Sequence, residues 1–320
     1  MRQYITRRLI QMIPILIGVS ILLFCILQMA PGDILSANIN PHMTAEIKEE
    51  LRHQMHLDQP TYVQYFYWIK GVLKGDFGDS YYFKQPVTTV IKSYIWNSFI
   101  LSLVSFILSI IISIPIGVVS ATRQYSKFDY FFTVLALIGI SIPAFYFGLL
   151  LIKWFAVDLH LFPVSGMSTP GANLKGIGAA GDMLYHMFLP CLVLTLGSVA
   201  ELMRYTRSSM LEVIKQDYIK TARAKGLKEK VVIYKHALKN AMIPVVTIFG
   251  MWLPSLFSGA ILTESIFNWP GIGPIELLAV NNRDYPLLMG INLILALLTL
   301  LGNLIADITY ALIDPRIRLK

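Results

Sequence analysis

Charge is scarce in this sequence: Asp, Glu, Lys and Arg make up 14% of 320 residues, against about 25% in an average soluble chain. With 55% hydrophobic residues and a mean hydropathy of +0.61, the chain has ample apolar surface to bury, which excludes disorder. The same surplus excludes an ordinary cytosolic enzyme and calls for lipid as solvent. Cysteine is nearly missing too. Cys25 and Cys191 lie inside long apolar runs, where they behave as small hydrophobes, so neither a disulfide framework nor a metal site follows.

Catalytic signatures are missing as well. There is no Gly-x-x-x-x-Gly-Lys-Ser/Thr loop, no His-Glu-x-x-His and no Gly-x-Ser-x-Gly, so nucleotide, zinc-peptidase and serine-hydrolase chemistry have no anchor. His53 and His56 could share a helix face, but no further ligand lies nearby in sequence, and they read as solvated loop histidines. No metal site and no catalytic residue is predicted. The chain shows no clear internal repeat, which weakens an ion-coupled secondary transporter built of two related halves without removing it.

What the chain does have is apolar length. A bilayer core about 30 Å thick takes roughly 20 apolar helical residues, and six stretches qualify: Leu9–Ala30, Ser98–Ala121, Phe132–Ile152, Phe188–Met203, Ala241–Leu262 and Leu287–Ile313. The fourth is the shortest, with His186 and Pro190 near its start, and is compatible with a longer helix running into the polar segment after it. The first follows Arg2, Arg7 and Arg8 but ends in Met29-Ala30-Pro31-Gly32-Asp33. It is too long for a signal-peptide core and lacks a small-x-small cleavage site, so it is expected to be a retained span.

The net charge of +8 allows nucleic acid or membrane orientation as its cause. The distribution decides. With the N-terminus inside, segments 1–8, 122–131, 204–240 and 314–320 hold 18 of the 27 Lys and Arg. The outer segments 31–97, 153–187 and 263–286 are about four times poorer per residue, a positive-inside pattern. The expected fold is therefore an all-α integral membrane protein with six transmembrane helices, N-in and C-in, and no nucleic-acid partner.

Ten of the basic residues lie in the inner loop 204–240. Its run Ser208–Lys225 lacks Gly and Pro and places Ile214, Tyr218 and Ala222 at helical spacing. Gly226 reads as a left-handed stop. A second amphipathic run from Lys228 puts Val231, Tyr234 and Leu238 on one face until Pro244 opens the next span. Taken alone, such a pair of helices could be a solvated, positive-inside hairpin.

The loop resembles the EAA loop of ABC importer permeases, with Gly226 and Pro244 at the family's spacing of eighteen residues. The acid and first Ala of the general pattern are replaced by Lys220 and Thr221, while Ala222 is kept. Tyr218-Ile219-Lys220-Thr221-Ala222-Arg223-Ala224-Lys225-Gly226-Leu227, then His236-Ala237-Leu238-Lys239-Asn240-Ala241 and Ile243-Pro244, is similar to the variant of peptide and nickel permeases. Tyr4-Ile5, Arg7-Arg8-Leu9, Pro14, Gly18 and Pro31-Gly32-Asp33 resemble the start of the first, B-type, permease subunit. Asp76-Phe77-Gly78-Asp79-Ser80 with Pro86-Val87 resembles its large outer loop. Glu264-Ser265-Ile266-Phe267, Pro270-Gly271-Ile272-Gly273 and Arg283-Asp284-Tyr285-Pro286 are similar to its last outer loop, and Asp314-Pro315-Arg316-Ile317-Arg318 to its tail.

The resemblance implies a permease subunit of an ATP-driven importer in the cytoplasmic membrane of a prokaryote. It would carry di- or oligopeptides, with a nickel chelate or another small solute as the alternative. The implied partners are a second homologous permease subunit, two ATPase subunits that use ATP and Mg, and an extracytoplasmic substrate-binding protein. This chain would hold no cofactor itself. The resemblance divides it into an N-terminal segment with the first span (1–30), an outer loop or cap (31–97), a permease core (98–313) with the coupling loop at 204–240, and a tail (314–320).

Asp217, Tyr218, Thr221, Ala222, Arg223, Ala224, Lys225, Gly226 and Leu227 would form the ATPase-coupling site. Tyr218, Ala222 and Leu227 would bury apolar area in the partner, while Arg223 and Lys225 meet acidic groups at its rim. Pro143 and Pro254 are candidate bends around a pathway. Asn292, Asn303 and Asp307 are polar groups within the sixth span, where a carboxylate is a functional candidate. Asp307 has a structural alternative in pairing with a cytoplasmic Arg, and Glu201 has one with Arg204. The outer segment, with Tyr62, Tyr65, Phe66, Tyr67 and Trp68, suits a cap over the first span, a docking surface, or both.

Overall fold

The structure, a computed structural model, describes residues 2–29, 49–50, 52–53 and 58–313. The tail 314–320 and most of the outer segment 30–57 lie outside the described residues. The described residues are helical, without a strand. In chain order the helices are α1 (Arg2–Gln28), α2 (Thr61–Val72), α3 (Val87–Thr122), α4 (Lys127–Ser141), α5 (Ala144–Asp158) and α6 (Ile177–Ile214). They continue with α7 (Asp217–Ala224), α8 (Glu229–Leu256), α9 (Ile261–Ile266), α10 (Ile272–Asn281) and α11 (Tyr285–Ile313).

Five helices, α1, α3, α6, α8 and α11, are long and apolar enough to cross a membrane, and α4 with α5 makes the sixth span if counted together. Exposed Ile10, Ile13, Ile17 and Leu22 on α1 and Phe131, Leu135 and Ile138 on α4 suit a chain whose solvent is lipid. The expected third span is not one straight rod. It bends by 102° between α4 and α5, at Ile142-Pro143, because Pro143 donates no N–H and holds the residue before it extended.

Several helices outrun their apolar windows. α6 is 38 residues long, starts eleven residues before Phe188 and absorbs Pro190. α3 starts at Val87 and packs along most of its length on α6. Its contact face is small: Ser105, Ser109, Ser113 and Gly117, four residues apart, are all buried. A Cβ on Gly117 would come within 2.7 Å of Thr206. Small residues let two membrane helices approach closely, where dispersion replaces the absent hydrophobic drive.

The outer loops are fastened by the motifs singled out above. The Glu264 carboxylate is fully buried and accepts from the backbone N–H of Ala260 at 3.1 Å and of Gly273 at 2.9 Å. A Cβ on Gly271 would overlap it, which is why glycine stands there. Ser98 on α3 accepts from Ile272 N–H, and Trp269 donates from Nε1 to the Asn97 carbonyl. Buried Asp284 accepts from the Ser80 hydroxyl and the Tyr82 N–H, so the Asp79-Ser80 and Arg283-Asp284 motifs meet across 204 residues of chain. Burial, then the Asp284 charge, pushes the Tyr81 phenol above its usual range and keeps it neutral.

In the outer segment, α2 packs on the first span. Tyr65 and Trp68 pack against Phe24 of α1, and the Tyr65 hydroxyl lies 2.8 Å from Ser20 Oγ. Tyr62, Phe66 and Tyr67 face outward.

Candidate coupling helix and membrane cavity

The inner loop folds as a short helix seated on a hydrophobic bed. α6 stops at Ile214, the chain turns through Lys215 and Gln216, and α7 follows. Asp217 in its first turn suits the positive end of the helix dipole. The Lys220 ammonium bonded to Asp217 at 2.9 Å holds that carboxyl below the usual carboxylate range. Gly226 adopts φ +74° and ends the helix, as its position predicts. Lys225 N–H donates to the Thr221 carbonyl at 3.0 Å and Gly226 N–H to that of Arg223 at 2.9 Å, so the carbonyls at the end of α7 are partly satisfied.

Burial divides the expected coupling residues. Ile219 is fully buried and Ala222 nearly so, both packed with Val118, Ala121, Met210, Val232, Ile233, Ala237 and Ala241. Ala222 therefore faces this subunit and not a partner; its small size lets α7 lie close to its bed. Tyr218 and Leu227 remain 45% and 41% exposed, open to a partner, as are Asp217, Thr221, Ala224 and Lys225. Arg223 is engaged within the loop. Its guanidinium forks onto Glu229 at 3.1 and 2.7 Å, closing the turn around Gly226.

Two register expectations shift. The break at 215–216 places Ile219, not Tyr218, on the buried face with Ile214 and Ala222. In the second run Val232, Ile233 and Ala237 are buried while Val231 and Tyr234 are exposed. A π-helical stretch, Val232–Ala237, runs through this face, and its wider turn changes the period on which the face is counted. Pro244 lies inside α8 and does not open it.

Above the loop a cavity of about 1260 Å³ opens between α3, α4, α5, α6 and α8. Pro143 lines it at the 102° bend, with Ser105, Ser198, Glu201, Arg204 and Trp252 among its walls. Pro254 is buried outside the lining, its Cα 2.9 Å from where a Cβ on Gly302 would sit. The 3₁₀ turn Leu253–Leu256 that contains it turns Ser255 and Leu256 to the cavity.

Asn292, Asn303 and Asp307 are not part of that lining. Asn292 donates to Glu276 at 3.2 Å and to the Leu288 carbonyl. Asp307 pairs with Arg8 at 3.2 Å, tying α11 to α1, which is the structural alternative named for it. No ion pair joins Glu201 to Arg204; both are exposed.

One pair escaped the sequence reading. Arg207 on α6 forks onto the buried Asp129 of α4 at 2.7 and 2.8 Å, and Asp129 also accepts from Tyr125 N–H at 3.0 Å. Separated by 78 positions, the two carry no local spacing signal.

A bent span, a large cavity and a helix seated at its inner end fit a multi-pass membrane transport subunit. Comparison with known proteins narrows the class. Residues 113–319 match the family model described as "Binding-protein-dependent transport system inner membrane component", and residues 1–115 match its N-terminal counterpart. The chain belongs to this family of inner-membrane components. It is 46% identical over 318 residues to the oligopeptide transport system permease protein AppB of Bacillus subtilis, covering 99% of both chains. It is 40% identical over 342 residues to the dipeptide transport system permease protein DppB of Escherichia coli K12, covering 100% of each. Among solved structures, an inward-facing MetNI methionine ABC transporter aligns with a TM-score of 0.56 at 17% identity. That match covers 71% of this chain and 97% of the other, a likeness of fold.

Proposed function

We propose that this chain forms one half of the membrane pathway of an ATP-driven importer of short peptides. Full-length similarity to an oligopeptide and a dipeptide permease carries the reading. A second, similar permease subunit would close the open side of the cavity. An extracytoplasmic binding protein would deliver the peptide to the outer loops.

Two separate ATPase subunits would bind and hydrolyse ATP with Mg²⁺, and this chain would hold no cofactor. One ATPase would receive α7, with Tyr218 and Leu227 as apolar contacts and Lys225 at the rim. Because Ile219 and Ala222 anchor α7 between α3, α6 and α8, a displacement of α7 would move the spans that wall the cavity. The interfaces supply coupling while the chemistry stays elsewhere.

The test is reconstitution of the chain with those partners in liposomes. The expected result is co-purification of the ATPase subunits and accumulation of radiolabelled dialanine only with ATP and binding protein present. Accumulation driven by an ion gradient without ATP would overturn the reading. So would uptake of a nickel chelate but no peptide.

A further inference from the structure

The cavity holds two charges that the subunit does not use. Among its described lining residues, Glu201, Arg204 and Arg207 are charged at neutral pH. Arg207 is engaged by Asp129. Glu201 and Arg204 are exposed on α6 and form no ion pair with each other or with another described residue. Their spacing of three places their Cβ atoms about 5–6 Å apart on one helix face. Glu201 lies thirteen residues before the end of α6 at Ile214, about 20 Å along the axis.

Ionisable side chains on a membrane-crossing helix mark a substrate path when they face a cavity and not a protein partner, and Glu201 and Arg204 do so where α6 leaves its apolar stretch. The cavity's other walls limit what such a path can carry. Ser102, Ser198 and Ser255 offer hydroxyls that can meet peptide N–H and C=O groups, while Leu137 and Phe147 offer apolar surface to small side chains. A free peptide is a zwitterion, and each end leaves water cheaply only against the opposite charge. A wall of one sign would hold one end and repel the other; Glu201 and Arg204 present both. An extended dipeptide spans about 7 Å, which two long side chains three residues apart can bracket.

We infer that Glu201 receives the α-ammonium of the translocating peptide and Arg204 its α-carboxylate, which selects short zwitterionic peptides at the inner end of the cavity. This assignment rests on the peptide-importer reading. It is tested in the full importer, reconstituted with binding protein and ATPases, using dialanine as probe. Glu201→Gln and Arg204→Gln should each lower dialanine uptake at least tenfold. Binding-protein-stimulated ATP hydrolysis and co-purification should stay within twofold of the parent. Glu201→Asp, which keeps the charge, should recover at least a third of the uptake.

Parent-level uptake by both Gln variants would overturn the assignment, as would an Asp variant no better than Gln. Loss of ATPase assembly in step with uptake would also overturn it, since that marks a structural role. A parent importer that accumulates no dialanine would instead overturn the peptide reading and this assignment together.

Discussion

Replacing Ile219 by alanine removes the largest buried side chain of α7. The helix is eight residues long, too short to persist in water by itself, so its place depends on Ile219 and Ala222. The substitution deletes three buried carbons, about 2.4 kcal/mol at roughly 0.8 kcal/mol per CH₂. The void left among Val118, Met210, Val232 and Ala237 brings the total to within about 2–5 kcal/mol. Near 3 kcal/mol, the population of unseated α7 rises on the order of 100-fold. Trypsin reads this population in inverted membrane vesicles, because Lys220, Arg223 and Lys225 lie on or beside the helix. Cleavage tracks the open fraction when reclosing is fast. Cleavage at Lys220 should accelerate on the order of 100-fold and ATP-driven uptake should fall, while Tyr218→Ala, at an exposed position, leaves cleavage unchanged. A cleavage rate within twofold of the parent would refute the reasoning that this bed holds α7.

Arg207→Met strands the Asp129 carboxylate, whose side chain is 4% exposed, and should cost about 3–5 kcal/mol in thermal unfolding of the purified protein. Asp129→Leu with Arg207→Met should recover most of that loss, because both charges leave together. A Cβ on Gly226 would meet no atom within 4 Å, but Gly226→Val must hold φ +74°, costing about 1–2 kcal/mol; tryptic cleavage of the loop should rise, and Gly226→Asn should stay close to the parent. Asp284→Ala leaves the Ser80 hydroxyl and Tyr82 N–H without their acceptor, at about 1–3 kcal/mol each. Amide exchange at Tyr82 should then quicken at least tenfold, with α7 unaffected.

Hydropathy made the spans legible, since apolar length follows from the lipid solvent and not from details of packing. Helix ends were less legible. α3 and α6 run well past their apolar windows because a helix continues wherever tertiary contacts support it, polar or not. Gly226 was readable because its left-handed turn is a local requirement; the inward face after Lys228 was not, because a π-helical stretch changes the period that face is counted on. Pro143 could be named as a bend, but the 102° angle depends on what α4 and α5 pack against. The Asp129–Arg207 pair needs the fold to bring it together. The series Ser105, Ser109, Ser113, Gly117 is visible as a four-residue repeat of small residues and was the available signal for the close α3–α6 contact. Ala222 needs a small side chain because of neighbours in the same subunit, which its place in the loop motif does not reveal.

The central claim is that α7 is the surface through which ATPase motion enters the membrane. A photoreactive benzoyl-phenylalanine placed at Tyr218, 45% exposed on that helix, tests it in the assembled importer, with Leu159, 57% exposed beyond the far end of α5, as control. The account predicts a light-dependent crosslink to an ATPase subunit from position 218, changed in yield when ATP is added, and none from position 159. No crosslink from 218 in an importer that still transports would contradict it.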